Sequence, residues 1–295
     1  MVYKGYGIVE GKNSVIVENV KDFDPVHVFE CGQCFRWLRQ SDGSYNGVVG
    51  GRAVNVKYDD GNLVIYNSSV NDFTDLWCDY FDLGRDYTKI KSLLKKDRIM
   101  QEAVEFGYGI RLLNQDIWET LISFILSANN RIPMIMKTVA AISKVYGDRV
   151  EMDGKEYYAF PGVERLYASN VEQLEVCRGG FRCKYIVNTA RLVGDGAVDL
   201  DELKRLSTGE ARNRLMRLPG VGPKVADCVL LYSGTKHDVF PTDVWVKRVM
   251  EELYFKREAS FREIQEFASD NFGNLAGFAQ QYLFYYAREN KIGVK

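Results

Sequence analysis

Short runs of β-branched and aromatic residues in the first third of the chain predict β-strands. Such runs occupy Ser14–Val17, Arg52–Tyr58 and Asn62–Tyr66. Asp59-Asp60-Gly61 separates the last two runs and is a typical hairpin signal. Glycines at 43, 47, 50 and 51 mark a further pair of strands. The pattern therefore predicts a small antiparallel sheet, with helices after about Ser69 covering one of its faces.

From about Asn114 onward, apolar positions recur with the spacing of α-helices. Gln115–Ala128 is apolar nearly all round, which predicts a buried central helix. Helical periodicity returns near 132–145, 182–193, 209–217, 223–233, 243–254, 261–270 and 275–288. The layout predicts an α+β fold. We expect an antiparallel β-sheet subdomain over 1–112 and a helical region over 113–295.

Composition is that of an ordinary globular protein. Of 295 residues, 46% are hydrophobic and 27% are charged. No apolar run approaches the roughly 18 residues of a membrane span. Met1–Gly5 lacks the basic patch and apolar stretch that begin a signal peptide. We expect a monomeric, cytoplasmic protein that makes no membrane contact and that associates with the nucleoid if its source is prokaryotic.

The net charge of −1 gives no support to nucleic-acid binding, but two stretches are locally basic. Residues 178–191 hold four Lys or Arg and no acid, and residues 204–224 hold six against the single acid Glu210. A few well-placed Lys and Arg suffice for phosphate contacts. Taken alone, two solvated helix faces explain these stretches better.

The six cysteines give no sign of a metal or redox centre. Cys31 and Cys34 form a C-x-x-C pair, yet no second pair has matching spacing and the only histidines are His27 and His237. A pair of packed thiols is the better explanation. No cysteine follows Cys228, which excludes a C-terminal iron–sulfur loop built from four cysteines. We therefore expect that no cofactor is required.

The segment LPGVG at 218–222 separates two helical runs and predicts a sharp hairpin between helices. Pro219 disfavours helical geometry in the residue before it, and Gly220 and Gly222 allow positive φ at a sharp hairpin. Pro223 suits the first turn of a new helix. Outward-pointing amides at such a turn attract an anion, for example a DNA phosphate. A plain helical hairpin explains the glycines equally well.

Lys224 falls in the first turn of the second helix of this predicted helix-hairpin-helix, over 209–234. The positive end of the helix dipole disfavours another positive charge there, so a structural role is a poor explanation. With partial burial, this position favours the neutral amine that a nucleophilic lysine requires. Cys228 lies four residues later on the same helix face. Asp243 falls at another helix start, where a simple N-cap is the plain alternative.

These residues carry a resemblance. Leu218–Val249 resembles the helix-hairpin-helix, glycine/proline-rich, aspartate-containing superfamily of DNA glycosylases through LPGVG, Lys224 and Asp243. More narrowly, nearly the whole chain resembles 8-oxoguanine DNA glycosylases of the type first described in eukaryotes. That resemblance also rests on GQCFRW at 32–37, GIRLL at 109–113, SANN at 127–130 and residues 277–284. The family implies a TATA-binding-protein-like N-terminal sheet and two all-helical subdomains with the active site in the cleft between them.

The resemblance implies a bifunctional glycosylase and lyase. Lys224 is the implied nucleophile at C1′ of the damaged nucleotide, and Asp243 the group that stabilises positive charge on the sugar. A lysine Schiff base then allows strand cleavage by β-elimination, which combines covalent with electrostatic catalysis. The implied partner is double-stranded DNA containing 8-oxoguanine. The hairpin carbonyls are a candidate site for a monovalent cation.

The base pocket follows from the same resemblance. The Gly32 carbonyl is implied to accept the N7–H that 8-oxoguanine has and guanine lacks, and glycine permits close backbone approach. Gln280 and Phe284 share one helix face; Gln280 would read the Watson–Crick edge while Phe284 and Cys228 flank the flipped base. Without the family, a strand bulge would explain Gly32 and a core position would explain Phe284.

DNA contacts are implied next to this pocket. Phe181 matches the family's aromatic wedge, Arg182 a neighbouring arginine, and Asn129 the asparagine that fills the vacated space; core packing, a solvated charge and a helix C-cap are the alternatives. Met134 stands where human-type members place a second arginine for the orphaned cytosine, which predicts relaxed discrimination of the opposite base. Trp245 replaces a usual histidine and puts one phosphate contact in doubt.

Two other interpretations stay open. Pyrimidine and adenine glycosylases of the superfamily would carry the iron–sulfur cysteines that this chain lacks, and adenine and alkylation-damage glycosylases would normally lack a lysine at 224. A non-catalytic DNA-binding module would use the hairpin for phosphates alone. That module leaves Lys224, Asp243 and the Gln280–Phe284 pair unexplained.

Overall fold

The structure is a computed structural model that describes residues 1–294. Its N-terminal part is a seven-stranded sheet in the order β1-β2-β3-β7-β6-β5-β4, with antiparallel pairing throughout. The strands are β1 (Val2–Tyr3), β2 (Tyr6–Gly11), β3 (Ser14–Glu18), β4 (Leu38–Arg39), β5 (Tyr45–Val49), β6 (Arg52–Asp59) and β7 (Asn62–Tyr66). The predicted antiparallel sheet is confirmed.

The hairpin between β6 and β7 shows how local sequence specifies this sheet. Asp59 pairs with Asn62, so Asp60 and Gly61 alone form the turn, with φ of 45° and 79°. Two positive φ values are the requirement of the type I′ turn, which matches the twist of the flanking strands. The helical segment after Ser69 then packs Phe73 onto the buried face of the sheet, as predicted.

Helices form most of the remaining chain. They are α1 (Pro25–Phe29), α2 (Val70–Asp72), α3 (Cys78–Tyr80), α4 (Tyr87–Leu94), α5 (Arg98–Phe106), α6 (Ile117–Ser127), α7 (Ile132–Tyr146), α8 (Val163–Tyr167), α9 (Val171–Glu175), α10 (Arg182–Gly194), α11 (Thr208–Leu215), α12 (Pro223–Tyr232), α13 (Val244–Met250), α14 (Phe261–Phe272) and α15 (Ala276–Glu289). Phe73–Trp77 and Glu251–Phe255 are π-helical, and Asp201–Lys204 and Gly273–Leu275 are 3₁₀ turns. The α+β class is confirmed.

Helix α6 is the centre of the helical core, as its apolar sequence predicts. Every residue from Thr120 to Leu126 is buried, and α7, α10 and α12 pack around it. Lys224 lies in the first turn of α12, and this packing places that turn against the C-terminal turn of α6. The two helices form adjacent walls of the site described below.

A two-stranded hairpin, β8 (Arg149–Met152) and β9 (Lys155–Tyr158), lies between α7 and α8 and was not predicted. Its turn consists of Asp153 and Gly154, both with positive φ. Its apolar side chains pack against the N-terminal sheet, where they form a small cluster of Val48, Ala53, Val150, Met152 and Tyr157. The hairpin is stabilised by contacts distant in sequence, which local periodicity does not reveal.

The predicted division between residues 112 and 113 stays a prediction. Helices α4 and α5 precede it, yet their buried side chains belong to the helical core, and α5 packs along α15. The segment between α1 and β4 bridges the two parts. Its Gln33 is fully buried, donates to the carbonyls of Val28 and Arg111, and accepts from the Leu113 amide. These bonds fix the backbone beside Gly32.

Candidate active site

One cavity of about 140 Å³ brings together the residues predicted to act on the damaged nucleotide. Its walls come from α6, α7, α12, α13, α15 and the segment before β4. The predicted residues on its wall are Gly32, Lys224, Cys228, Asp243, Gln280 and Phe284. The amine at 224 and the carboxylate at 243 therefore face the same enclosed space, as the enzymatic hypothesis requires.

Lys224 is the second residue of α12, after Pro223 at the first helical position. Its Nζ donates to Ser127 Oγ at 3.4 Å and lies 5.4 Å from the ring centroid of Phe124. Across residues 1–294 it has no ion-pair partner. The amine thus faces a hydroxyl and an aromatic ring, with no carboxylate directly bound to it. This arrangement leaves the nitrogen available for reaction.

Cys228 lies one turn further along α12 and is 3% exposed. Burial raises the pKa of its thiol to about 11, although the neighbouring Lys224 acts in the opposite direction. The sulfur is therefore protonated at neutral pH. It presents an uncharged, polarisable surface to the cavity, which suits contact with an aromatic base.

Asp243 is both a helix cap and a wall of the cavity. Its Oδ1 accepts the backbone N–H of Val246 at 2.8 Å at the N-terminus of α13. The preceding loop is held by Gln265, whose Nε2 donates to the Phe240 carbonyl at 2.7 Å and to Thr242 Oγ1 at 3.0 Å. The cap therefore fixes the orientation of the carboxylate. The simple-cap alternative and the predicted position in the site are compatible.

Gly32 takes φ of +89°, a conformation that L side chains rarely adopt. A Cβ there would lie 3.1 Å from a ring carbon of Phe284 and 3.5 Å from Nη1 of Arg288. The residue lies in the irregular segment between α1 and β4, so the alternative of a strand bulge is wrong. Both its backbone angle and its close neighbours require glycine.

Gln280 is 3% exposed, and its Oε1 has no hydrogen-bond partner among residues 1–294. An unpaired buried oxygen costs stability, and this residue lines the cavity. This oxygen can therefore accept a hydrogen bond from a ligand in the cavity. Phe284 follows one turn later on the same helix face, and the Trp245 ring packs edge-on against it at 5.1 Å between centroids. Trp245 thus supports the pocket ring.

Three of the predicted DNA contacts, Phe181, Arg182 and Asn129, form a surface that we call the lip, which adjoins Asn130 of the cavity wall. Phe181 is 59% exposed, so core packing is wrong as its explanation. The Arg182 guanidinium lies 4.4 Å from the Phe181 ring and donates to the carbonyls of Ala128 and Asn129, the latter at 2.8 Å. It is therefore not a free solvated charge: it joins the exposed ring to Asn129. Met134 is 44% exposed on α7 between Ile132 and Ile135 of the cavity wall, and we count it with the lip because it also borders the cavity.

The helix-hairpin-helix forms from α11, the LPGVG turn and α12, within the predicted 209–234. Gly220 takes φ of +79°, and a Cβ there would lie 2.7 Å from the Tyr185 ring. Gly222 does not use the positive φ that glycine allows: its φ is −93°. Gly222 is the N-cap of α12 and precedes Pro223, and both conditions favour extended backbone. Nothing lies within 4 Å of where its Cβ would be, so its backbone is accessible.

The two basic stretches divide between internal and exposed roles. Arg212 Nε pairs with Asp227 Oδ1 at 2.5 Å, which holds α11 to α12, and Arg214 pairs with Glu202 at 3.0 Å. Three members of the first stretch are exposed, namely Arg178, Lys184 and Arg191. Solvated helix faces thus explain only part of each stretch.

All six cysteines are free and buried. Burial raises the pKa of the Cys31 thiol to about 12, and this thiol donates to the Val28 carbonyl, so the interpretation as packed thiols is confirmed. Within residues 1–294, no three His, Cys, Asp or Glu side chains are grouped as a metal ion would require. Across the same residues, every helix is too short or too polar to cross a bilayer.

Sequence reasoning missed several residues of the cavity wall. Ser127 and Phe124, three residues apart on α6, contact the lysine amine. The other wall residues that were not predicted are Phe35, Asn130, Ile132, Ile135, Tyr232, Pro241 and Val246. The spacing of Phe124 and Ser127 places them on one helix face. In a helix that is apolar all round, however, that spacing did not distinguish a site wall from core.

Comparison with known proteins shows the family to which the chain belongs. Residues 15–121 match the N-terminal domain of 8-oxoguanine DNA glycosylase, and residues 122–272 match the HhH-GPD superfamily of base excision DNA repair proteins. The probable N-glycosylase/DNA lyase of Methanothermobacter thermautotrophicus is 31% identical over 72% of this chain and 74% of its own length.

Two solved structures are similar over nearly the full length. The structure of MBOgg1 in complex with a low-affinity DNA ligand has a TM-score of 0.95 and 53% identity, and it covers 97% of this chain and 99% of its own. The 8-oxoguanine glycosylase/lyase of Clostridium acetobutylicum, in complex with DNA containing cytosine opposite 8-oxoguanine, has a TM-score of 0.95, 47% identity and the same coverage. The chain belongs to the 8-oxoguanine DNA glycosylase family of helix-hairpin-helix base excision repair enzymes.

Proposed function

We propose that the protein releases 8-oxoguanine from duplex DNA and then cleaves the strand, with Lys224 as nucleophile and Asp243 as its electrostatic partner. One observation carries the proposal: a single cavity is lined by an amine without an ion-pair partner, by a capped carboxylate and by the buried, unpartnered Oε1 of Gln280. A non-catalytic module that binds only DNA phosphates would not require such a cavity.

The reaction begins with attack by the neutral amine of Lys224 on C1′ of the flipped nucleotide. The N-glycosidic bond breaks, and the departing base takes up a proton. The carboxylate of Asp243 stabilises the positive charge that develops on the sugar. Ring opening of the sugar gives a Schiff base between Lys224 and C1′. Loss of a C2′ proton then breaks the C3′–O bond by β-elimination and nicks the strand.

Recognition of the base uses the remaining walls. The Gly32 carbonyl accepts the N7–H that distinguishes 8-oxoguanine from guanine, and Gln280 Oε1 accepts a hydrogen bond from an N–H on the Watson–Crick edge. Phe284 and the protonated thiol of Cys228 flank the two faces of the base. The pairing of Gln280 with the base would relieve the cost of its buried oxygen, which couples binding energy to the correct ligand.

The lip and the hairpin complete the interface with double-stranded DNA. Phe181 serves as the wedge, Asn129 fills the vacated space, and the hairpin turn of Gly220 and Gly222 approaches a phosphate. Met134 offers no hydrogen bond to the orphaned cytosine, so discrimination of the opposite base is relaxed. In a prokaryotic cell such an enzyme would work at the nucleoid.

A monovalent cation at the hairpin carbonyls stays a prediction. The Leu218 carbonyl already accepts the Val221 amide at 3.1 Å, and the Pro219 carbonyl accepts the Thr189 hydroxyl at 3.4 Å. Each carbonyl keeps a second lone pair for an ion. No step of the reaction above depends on it.

Borohydride trapping tests the lysine mechanism. The protein is incubated with duplexes containing 8-oxoguanine, an alkylated purine, an oxidised pyrimidine or no lesion, together with reductant. We expect a covalent complex with the 8-oxoguanine duplex, and its loss in Lys224→Gln. Trapping by Lys224→Gln would reassign the nucleophile. Stronger trapping with the oxidised pyrimidine than with 8-oxoguanine would overturn the proposed substrate.

A further inference from the structure

We propose that Arg288 is a positioning residue that sets the selectivity of the base pocket by holding the backbone before Gly32 against Phe284. The inference rests on the proposed function, because it assigns the discrimination between 8-oxoguanine and guanine to the placement of the Gly32 carbonyl. It adds a residue outside the cavity wall to those that determine the substrate.

The position of Arg288 follows from helix geometry. Gln280, Phe284 and Arg288 are spaced by four residues along α15 and therefore share one face. The first two line the cavity. The third continues the same stripe beyond the cavity, to the segment 30–32. One helix thus presents two pocket residues and, a turn later, the arginine that meets the backbone opposite them.

The contacts of Arg288 join the two sides of the pocket. Its Nη2 donates to the Glu30 carbonyl at 2.6 Å, and its guanidinium carbon lies 5.8 Å from the Phe284 ring centroid. Its Nη1 lies 3.5 Å from where a Cβ of Gly32 would be. Its Nε pairs with Glu289 at 2.9 Å. The planar guanidinium has several N–H donors at fixed angles, so it can bond Glu30 and Glu289 at once, whereas a lysine ammonium is a compact point charge.

A second side chain of α15, that of Gln281, also holds the backbone before Gly32, and we call the contacts of Arg288 and Gln281 the two tethers. Gln281 Nε2 donates to the Cys31 carbonyl at 3.0 Å while its Oε1 accepts the Tyr232 hydroxyl at 2.8 Å. The carbonyls of Glu30 and Cys31 are therefore both fixed from α15. The next residue is Gly32, whose own backbone is the most freely rotating of any residue type. The direction of its carbonyl depends on these neighbours.

The two tethers differ in how they can be tested. Gln281 is fully buried, so its removal would disturb the core. The Arg288 side chain is 27% exposed, so its removal should disturb the core less than the removal of Gln281. A carbonyl that must meet one N–H donor loses selectivity after a small displacement. Arg288 is therefore the side chain through which placement can be separated from folding.

Binding selectivity is the first measurement. In a Lys224→Gln background, which binds without cleaving, dissociation constants are measured for duplexes containing 8-oxoguanine or guanine at one position. We expect Arg288→Ala to reduce the ratio of the two constants by about tenfold, the lower end of the range for one hydrogen bond from a charged group. Arg288→Lys should restore part of the ratio. Arg262→Ala is the matched control, because Arg262 is 85% exposed and pairs only with Glu266 on α14.

Lyase activity on abasic DNA is the second measurement, made with Lys224 intact, because an abasic site carries no base to be read. We expect the loss of selectivity in Arg288→Ala to exceed any loss of lyase rate by at least about fivefold. Equal losses, or an unchanged selectivity ratio, would refute the positioning role. If the background protein with Arg288 intact binds both duplexes equally, the proposed function fails instead.

Discussion

The base cavity and the lip beside it hold their functional residues by opposite means. In the cavity, side chains such as Cys228 and Gln280 are each 3% exposed and are fixed by the packing of α12 and α15. On the lip, Phe181 and Met134 are 59% and 44% exposed, and Arg182 is fixed by backbone carbonyls. The cavity is a preformed shape, whereas the lip is an exposed surface.

From this difference we expect the cavity to select the damaged base and the lip to select the base opposite it. A buried wall with an unpaired acceptor penalises every base that fails to supply the matching donor. An exposed apolar residue such as Met134 contributes contact area without a directional requirement. The lesion should therefore be read strictly and the opposite base loosely. The following three substitutions test that contrast, in order of decreasing expected effect.

Asp243→Asn should give the largest loss, because it removes the charge while keeping the cap. Asparagine is as good an N-cap as aspartate, so the melting temperature should change little. Base release under single-turnover conditions should slow by about 10²–10³-fold, since the developing positive charge loses its counter-charge. Circular dichroism melting accompanies the kinetics. A rate within tenfold of the unmodified protein would contradict the electrostatic role.

Gln280→Leu should affect recognition and stability in opposite directions. Excision of 8-oxoguanine should fall by about 10–100-fold in kcat/KM, because the acceptor for the base is lost. Unfolding free energy should stay equal or rise, because an unpaired buried oxygen is removed. Gln281→Leu is the contrasting control: its amide bonds Cys31 and Tyr232, so stability should fall. A destabilised Gln280→Leu would argue that Gln280 serves the core alone.

Met134→Arg should increase the preference for cytosine opposite 8-oxoguanine by about fivefold to tenfold, the lower part of the range for one base-reading pair. Excision rates are measured with 8-oxoguanine opposite each of the four bases. The unmodified protein should show little preference, and the variant should favour cytosine. Since Met134 is 44% exposed, the substitution should be tolerated by the fold. A strong preference for cytosine already present in the unmodified protein would refute the relaxed readout.

Local chemistry singled out Lys224, whereas the family resemblance supplied the roles of the base-pocket residues. A cation at a helix N-terminus is unfavourable, so the position of Lys224 argued against a structural role. In the structure its amine lies beside the Ser127 hydroxyl at the cavity. The four-residue spacing of Gln280 and Phe284 placed both on one face of α15. At Gly222 glycine allows positive φ, but the following proline and the N-cap position favour the extended backbone that the structure has.

Features that depend on distant contacts escaped prediction. The β8–β9 hairpin is stabilised by Val48 and Ala53 of the sheet. Arg182 finds its partners some fifty residues earlier in the chain, at the end of α6. The relation of Arg288 to Glu30 joins the two ends of the protein. No periodicity encodes such pairs, because each requires the packed fold to exist first.

Burial of Cys228 has a chemical consequence for the setting in which such an enzyme works. Peroxides oxidise the thiolate form of cysteine far faster than the thiol. Burial raises the pKa of the Cys228 thiol to about 11, so this sulfur is protonated at neutral pH. We therefore expect Cys228 to react slowly with peroxides under the oxidising conditions in which 8-oxoguanine forms.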